Sequence, residues 1–334
     1  MNTLTVFVGL DYHASAVQVC ILDAAGGVLA NRACRNDAAT IDAFVRGFGG
    51  HVQAAIEACT GAAHLADQLA TRHGWDIRQA HPGFVSRMRQ SPDKTDWADA
   101  RVLADLTRVG YLPVVWLAPE PVRELRRLTR CRQHLADARR ALKLRVRALL
   151  RECRVTILAR GWTRQWLAEL AEVALPEQAR WVIEQHLRQL HFLGQEIEAV
   201  EKRLADVTAD DPVVAKLLEQ PGIGLVTAAV MRAEIGDFHR FRNGKQLARY
   251  CGLSPRNASS GTRQADAGLV KAGNVHLRTA VIEAAHRLAR YDVRWKAYGQ
   301  GLRSRGKCGS VVAAAVANRW IRGLVHLMHQ SLAA

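Results

Sequence analysis

Residues 4–22 read LTVFVGLDYHASAVQVCIL. Two apolar runs rich in β-branched residues, LTVFVGL at 4–10 and VQVCIL at 17–22, flank the polar segment DYHAS, and the AAGG that follows reads as a turn. A third run at 28–34 completes a β-meander opening a mixed sheet. Beyond it the pattern alternates, with a helix over 39–48, a strand over 52–57 (VQAAIE), a helix over 62–73 (AAHLADQLATRH) and a strand over 76–80. Strands alternating with helices predict an α/β domain covering residues 1–115.

Outward from this domain, the Pro-rich segment PVVWLAPEP at 113–121 is expected to be extended and to form a boundary. In residues 116–210, Leu125, Leu128, Leu135, Ala138, Leu142, Val146 and Leu149 recur mostly three or four apart, which predicts one helix from Arg123 to about Arg151. A second helix is expected over 177–207, with one slip of phase between Leu190 and Leu193. The pair predicts a central coiled coil, antiparallel or between copies of the chain. Residues 211–334 are expected to be all-α. They hold the turn Pro221-Gly222-Ile223-Gly224, helices at 225–235 and from Gly244, a glycine- and serine-rich loop from Leu253 to Gly273, and helices over 275–298 and 309–331.

The chain has 334 residues, 49% of them hydrophobic, enough for two or three domains with real cores. A formal charge of +16 argues for a polyanionic partner. No apolar run reaches the roughly 20 residues of a spanning helix, and the first residues lack a basic signal region, so no membrane partner is expected. The seven cysteines, at 20, 34, 59, 131, 153, 251 and 308, include no CxxC pair, and their number is odd. Reduced thiols in the cytoplasm fit this better than a disulfide framework or zinc ribbon. His326 and His329 have ligand-like spacing but no third ligand near them in sequence. Trp162, Trp166 and Trp181 are expected to pack the middle helices.

Acidic residues sit where the predicted strands stop. Asp11 ends the first strand, and Glu57 ends VQAAIE before the turn CTG. In one sheet the two carboxylates would lie side by side, and like charges that close call for a cation. In SPDKTDWADARVLADL, Ser91 or Asp93 can start a helix on which Asp96 and Asp99, three apart, share a face. Four converging carboxylates suit one or two divalent ions at a phosphodiester. The plainer alternative is a turn residue at Asp11 and a solvated helix face at Asp96 and Asp99.

GLDYHAS, IEACTG and DKTDWADARVLADL resemble, in order and spacing, the RuvC-like (RNase H-like) DEDD domain of the transposases of the insertion sequence 110 group. PGIGLVTAAVMRAEIGDFHRF, LARYCGLSPRNASSG and KAGNVHLRTAVIEAA resemble the second domain of the same family, so the likeness spans essentially the whole chain. The resemblance implies a recombinase that excises and inserts a mobile element, guided by a bridge RNA that pairs with donor and target DNA. It implies Asp11, Glu57, Asp96 and Asp99 as Mg2+ ligands. It implies Ser260, the serine before Gly261, as a nucleophile that becomes linked to a DNA phosphate; Ser259 next to it leaves a one-residue ambiguity. It further implies a homo-oligomer, dimer or tetramer, in which the serine domain of one subunit meets the acidic domain of another. A nucleoid-associated cytoplasmic protein follows.

The basic surfaces supply candidate binding residues. Arg126, Arg127, Arg130, Arg139, Arg140, Lys143 and Arg147 line one face of the first long helix and are candidates for an RNA or DNA backbone. Gly222 and Gly224 form a helix-hairpin-helix-like turn whose N–H groups could hold a phosphate, or simply a tight turn. Arg256, Arg263 and Lys271 flank the serine loop. The competing activity is a RuvC-like resolvase that cuts with water.

Overall fold

The computed structural model describes residues 4–88, 95–257, 266–270 and 272–332. It divides into two compact units, residues 1–119 and 120–334. Among the described residues no helix is long and apolar enough to cross a membrane.

The first unit is a mixed α/β fold. Its elements are β1 (Thr5–Tyr12), β2 (Ala16–Leu22), β3 (Val28–Arg35), α1 (Ala38–Arg46), β4 (His51–Glu57), α2 (Ala62–His73), β5 (Asp76–Ala80), α3 (Pro82–Met88), α4 (Asp96–Arg108) and β6 (Val114–Val115). They build one six-stranded sheet in the order β3-β2-β1-β4-β5-β6. β2 runs antiparallel to β1 and β3, β4 runs parallel to β1 and β5, and β6 closes the edge antiparallel to β5. This arrangement is compatible with the RuvC-like fold expected above.

The period of two along β1 explains the layers. Val6, Val8 and Leu10 enter a core shared with Ile41 and Val45 of α1 and Leu65 and Leu69 of α2. Phe7 and Gly9 face the other way, towards α4, where Ala100 and Ala104 pack with Cys20 and Leu22. Helices therefore cover both faces of the parallel strands, as such strands require. Gly9 is what lets α4 lie so close. A Cβ there would fall 1.9 Å from the carbonyl oxygen of Ala100.

The second unit contains α5 (Glu120–Glu152), α6 (Arg164–Glu172), α7 (Glu177–Thr208), α8 (Pro212–Leu218), α9 (Leu225–Ile235), α10 (Gly244–Tyr250), β7 (Pro255–Asn257), β8 (Asp266–Leu269), α11 (Val275–Tyr291), α12 (Val293–Arg303) and α13 (Gly309–Leu332). α5 and α7 pack antiparallel within one chain. Leu125 meets Leu204 at one end, and Val146 and Leu150 meet Ile183 at the other. The long connection between them holds α6, for which the sequence pattern gives no clear period. Thr163 caps it by accepting from the Trp166 N–H at 3.2 Å, and Trp166 and Leu170 are buried against α5. Trp162 packs at a tilt against Trp166, with ring centres 4.7 Å apart, but Trp181 stays 58% exposed and does not pack as expected. The remaining helices enclose a core built on Met231, Ile235, Val281, Leu288, Val316, Ile321 and Val325.

Three expectations need correction. The C-terminal region is not all-α, because β7 and β8 pair as an antiparallel two-stranded sheet. The helix expected over 275–298 is two helices. Asp292 takes an extended conformation (φ −92°, ψ 129°) that ends α11, and its side chain caps α12 by accepting from the Trp295 N–H at 3.0 Å. The helix carrying Asp96 starts from neither Ser91 nor Asp93, which lie outside the described residues. Its N-cap is Thr95, whose side chain accepts from the Ala98 N–H at 3.2 Å.

Candidate metal centre and basic surfaces

Register settles where the strand acids lie. Leu10 pairs with Ile56 across the parallel β1–β4 ladder, so Asp11 and Glu57 occupy neighbouring positions at the carboxyl ends of two central strands. Ala55, two residues before Glu57, packs with Leu103 of α4, just as Gly9, two before Asp11, meets Ala100. Both acids thus project on the α4 side of the sheet.

α4 brings the other two. Asp96 and Asp99 lie in its first turn, where carboxylates suit the positive end of the helix dipole. The turn is anchored across the sheet: Gln18 of β2 donates to Asn31 Oδ1 at 2.7 Å, and Asn31 Nδ2 donates to the Trp97 carbonyl at 3.0 Å. Asp99 is only 6% exposed, whereas Asp96 is open to solvent. Burial raises the pKa of Asp11, and the nearby Asp99 and Asp96 raise it further, while His13 opposes the shift. Asp96 and Asp99 are therefore close enough to disfavour the charged form of Asp11.

His13 joins this group, although its residue type and place in DYHAS do not mark it out in the sequence. Its Nε2 lies 3.3 Å from Asp11 Oδ2 and 3.3 Å from Asp96 Oδ2. Donor atoms of Asp11, His13 and Asp96 all fall within 4.8 Å of one another. One signal could have found it, since residues 11 and 13 at a strand end point the same way. Cys59, just past β4, feels both Glu57 and Asp11, although burial is the larger cause of its raised pKa. Oxygen-rich donors with one imidazole fit a divalent cation such as Mg2+ or Mn2+.

The basic helix face divides in two. In the N-terminal half of α5 the arginines are engaged within the fold. Arg127 pairs with Glu120 and Glu124, and Arg123 pairs with Glu120. Arg126 donates from Nε to the Ala233 carbonyl at 2.7 Å. Arg126 and Arg130 both approach Glu234, which is 1% exposed, at 3.8 and 3.4 Å. In the C-terminal half, Arg139, Lys143 and Arg147 lie close together at four-residue spacing, while Arg140 is exposed on another face beside Gln133 and Asp137. Partial burial lowers the Lys143 pKa, and the charges of Arg139 and Arg147 lower it further. Lys143 Nζ also sits 5.0 Å from the centre of the Trp162 ring.

The α8–α9 turn is tight. Gly222 has φ 76°, its carbonyl accepts from Arg287 Nε at 2.7 Å, and a Cβ there would lie 3.1 Å from Arg287 Cβ. Gly224 caps α9 and is exposed. Arg256 is exposed on β7. Ser259, Ser260, Arg263 and Lys271 lie outside the described residues. His329 Nε2 donates to the Phe238 carbonyl at 3.0 Å, and its ring stacks on His239.

Comparison with known proteins gives a consistent answer. Residues 8–155 match a transposase model for the DEDD domain of the IS110 group, and residues 214–300 match the model described as "Transposase IS116/IS110/IS902 family". A probable family 20 transposase of Pseudomonas aeruginosa is 31% identical over 82% of this chain and 83% of its own length. The transposase for insertion sequence element IS1111A of Coxiella burnetii is 29% identical over 85% of this chain and 78% of its own length. The transposase for insertion sequence element IS1328 of Yersinia enterocolitica is 28% identical over 80% and 81%.

Proposed function

This chain belongs to the IS116/IS110/IS902 transposase family, and from that membership we propose that it cuts and rejoins DNA with a divalent metal, Mg2+, and a serine nucleophile, Ser260. The supporting observation is the meeting of Asp11, Asp96 and Asp99 at one end of the sheet, with Glu57 in the adjoining strand position. A cation offsets the repulsion that Asp96 and Asp99 exert on the charged form of Asp11. Asp11, Glu57, Asp96 and Asp99 would hold it, with His13 as a further donor. When bound, the metal supplies Lewis-acid stabilisation of the charge that builds on a phosphate during displacement.

The chain's own part in the reaction is division of labour. The β1 and β4 ends and the first turn of α4 hold the acids rigidly, which is what a positioning-dominated phosphoryl transfer needs. Ser260 attacks a DNA phosphorus through Oγ, the P–O bond to one deoxyribose breaks, and the serine proton passes by way of solvent to the leaving oxygen, so that the freed strand end departs as a hydroxyl. Attack by the hydroxyl of another strand on the phosphoserine reverses the step and rejoins DNA. The acidic domain of one subunit and the serine domain of another would form the working site in a dimer or tetramer. Arg139, Arg140, Lys143 and Arg147 are proposed to hold nucleic-acid backbone, in particular a bridge RNA that pairs with donor and target DNA.

The test is to trap a covalent protein–DNA adduct with element-end DNA and Mg2+. It should form with the wild type and with Ser259→Ala but not with Ser260→Ala. Metal-dependent cleavage without any adduct would replace the serine reading by a RuvC-like hydrolysis that uses water. Asp11→Asn should abolish cleavage while RNA still copurifies; full activity in that variant would remove the acidic site from the mechanism.

A further inference from the structure

In the second unit, a basic groove lies apart from the α5 arginines. It is an open trough of about 1420 Å3 between α10, α12 and α13, bordered by Pro255 of β7 and Gly268 and Leu269 of β8. Lys245, Arg294, Lys307, Arg319, Arg322 and His326 line it, and no Asp or Glu among the described residues does. None of the five Lys and Arg side chains is paired with a carboxylate among the described residues, and all five are exposed. That contrasts with Arg123, Arg126, Arg127 and Arg130, each of which pairs with a carboxylate.

The walls are preformed. α10 crosses α13 so closely that a Cβ at Gly244 would lie 2.2 Å from the Arg322 carbonyl oxygen. Asn318 of α13 donates to the Leu253 carbonyl at 3.0 Å, which fixes the chain entering β7 against the same helix. On the floor, Ala314, Ala315 and Gly323 present little side chain, so a bulky rod can come close. The trough is larger and more open than the roughly 300–1,000 Å3 of most small-molecule sites.

We propose that this groove binds the sugar–phosphate backbone of duplex DNA, and the proposal rests on the transposase reading above. Arg319, Arg322 and His326 follow one another on a single face of α13, and seven residues of helix advance about 10 Å. Phosphates on one DNA strand recur about every 3.4 Å along the axis, so the row spans about three of them. Apart from His326, Tyr298 is the one aromatic side chain among the described lining residues, and the Arg319 guanidinium already sits 5.0 Å from its centre. A groove meant for unpaired bases would offer free stacking surfaces, and this one offers cations instead. Its border strands, β7 and β8, are those that bracket Ser259 and Ser260 in sequence. DNA held here would run beside the two strands from which the serine segment leaves.

The test uses the full chain and a fluorescent duplex of random sequence, with binding followed by anisotropy across a salt series. Arg319→Glu with Arg322→Glu should raise Kd at least tenfold. It should also lower the slope of log affinity against log salt by about 1.8, since each phosphate left without its cation takes away about 0.9. Arg319→Gln with Arg322→Gln should shift both in the same direction by a smaller amount, and its thermal melt checks that the fold persists. Arg72→Glu with Arg78→Glu, an equal charge change in the first unit, should leave the slope within error. Unchanged DNA affinity and slope in both groove variants, with the wild type binding DNA, would overturn the groove alone. Loss of binding to a duplex RNA with DNA binding retained would also overturn it. A wild type that binds no DNA would bring down the transposase reading itself, and the groove with it.

Discussion

Gly9 of β1 and Ala100 of α4 touch through their backbones, and the first turn of that helix carries Asp96 and Asp99. A methyl group at Gly9 would have to push the whole helix off the sheet, because the obstructing atom is a backbone oxygen. Gly9→Ala should therefore cost about 1–3 kcal/mol of stability and remove divalent-metal binding, measured by denaturant unfolding and calorimetric titration. Gly194→Ala is the control. Nothing lies within 4 Å of a Cβ at that helical glycine, and the change should stabilise by up to about 1 kcal/mol. Equal effects at the two positions would refute the close-approach argument.

His13 reaches Asp11 and Asp96 at 3.3 Å each. An imidazole among carboxylates favours Mn2+ over Mg2+ more than oxygen donors alone do. His13→Ala should therefore weaken Mn2+ binding several-fold while changing Mg2+ binding less, so that the ratio of the two affinities moves towards Mg2+. Titration calorimetry on wild type and variant measures it, and an unchanged ratio would take His13 out of the donor set.

Saturating metal should raise the melting temperature of the full chain, since a ligand at about 100 times its Kd adds about 2.7 kcal/mol to the folded state. Chelation by EDTA should reverse the rise. Asp99→Asn should abolish the metal response, and a variant that still shows the full shift would place the ion elsewhere.

Glu234 of α9 is buried beside Arg126 and Arg130 and accepts from Asn274 Nδ2 at 2.7 Å. Removing one partner of a buried charge cluster leaves the others uncompensated, so Glu234→Ala should cost about 3–5 kcal/mol. Glu201, which pairs with Arg132 at 2.7 Å but is partly solvated, should cost about 1 kcal/mol or less when changed to Ala. Urea unfolding of the two variants gives the comparison.

The thiols should react in a set order. Burial pushes the Cys251 thiol up to about 12 and the Cys20 thiol to about 11. Cys308 is exposed, and a hydrogen bond with Ser310 lowers its pKa. A lower pKa means more thiolate at a given pH. Iodoacetamide at neutral pH should label Cys308 well before Cys20 and Cys251, as read by peptide mass mapping. The difference should vanish in denaturant.

How much of the fold and the site is legible in the sequence depends on how far apart the interacting residues are. Asp11 and Glu57 can be found because each closes an apolar run, and Asp96 and Asp99 because a spacing of three puts them on one helix face. The α5 arginines show the limit. Periodicity reveals which face is charged, but not that Glu234, more than a hundred residues on, meets Arg126 and Arg130. The β7–β8 pair escapes because strands of three and four residues in a glycine- and serine-rich stretch are too short to display a period. Lys245, Arg294 and Arg319 are scattered in sequence and become neighbours only when α10, α12 and α13 assemble.

The parallel register of β1 and β4 has a consequence for how the activity comes into being. A slip of one residue between them would turn Asp11 or Glu57 to the opposite side of the sheet. A growing polypeptide has no complete set of acids until α4, some forty residues after β4, has been made and has docked over Gly9. Correct assembly is thus a precondition of cutting. On the proposed mechanism, copies that are mispaired or that end before α4 would be born harmless, and the order of synthesis itself serves as a safety catch.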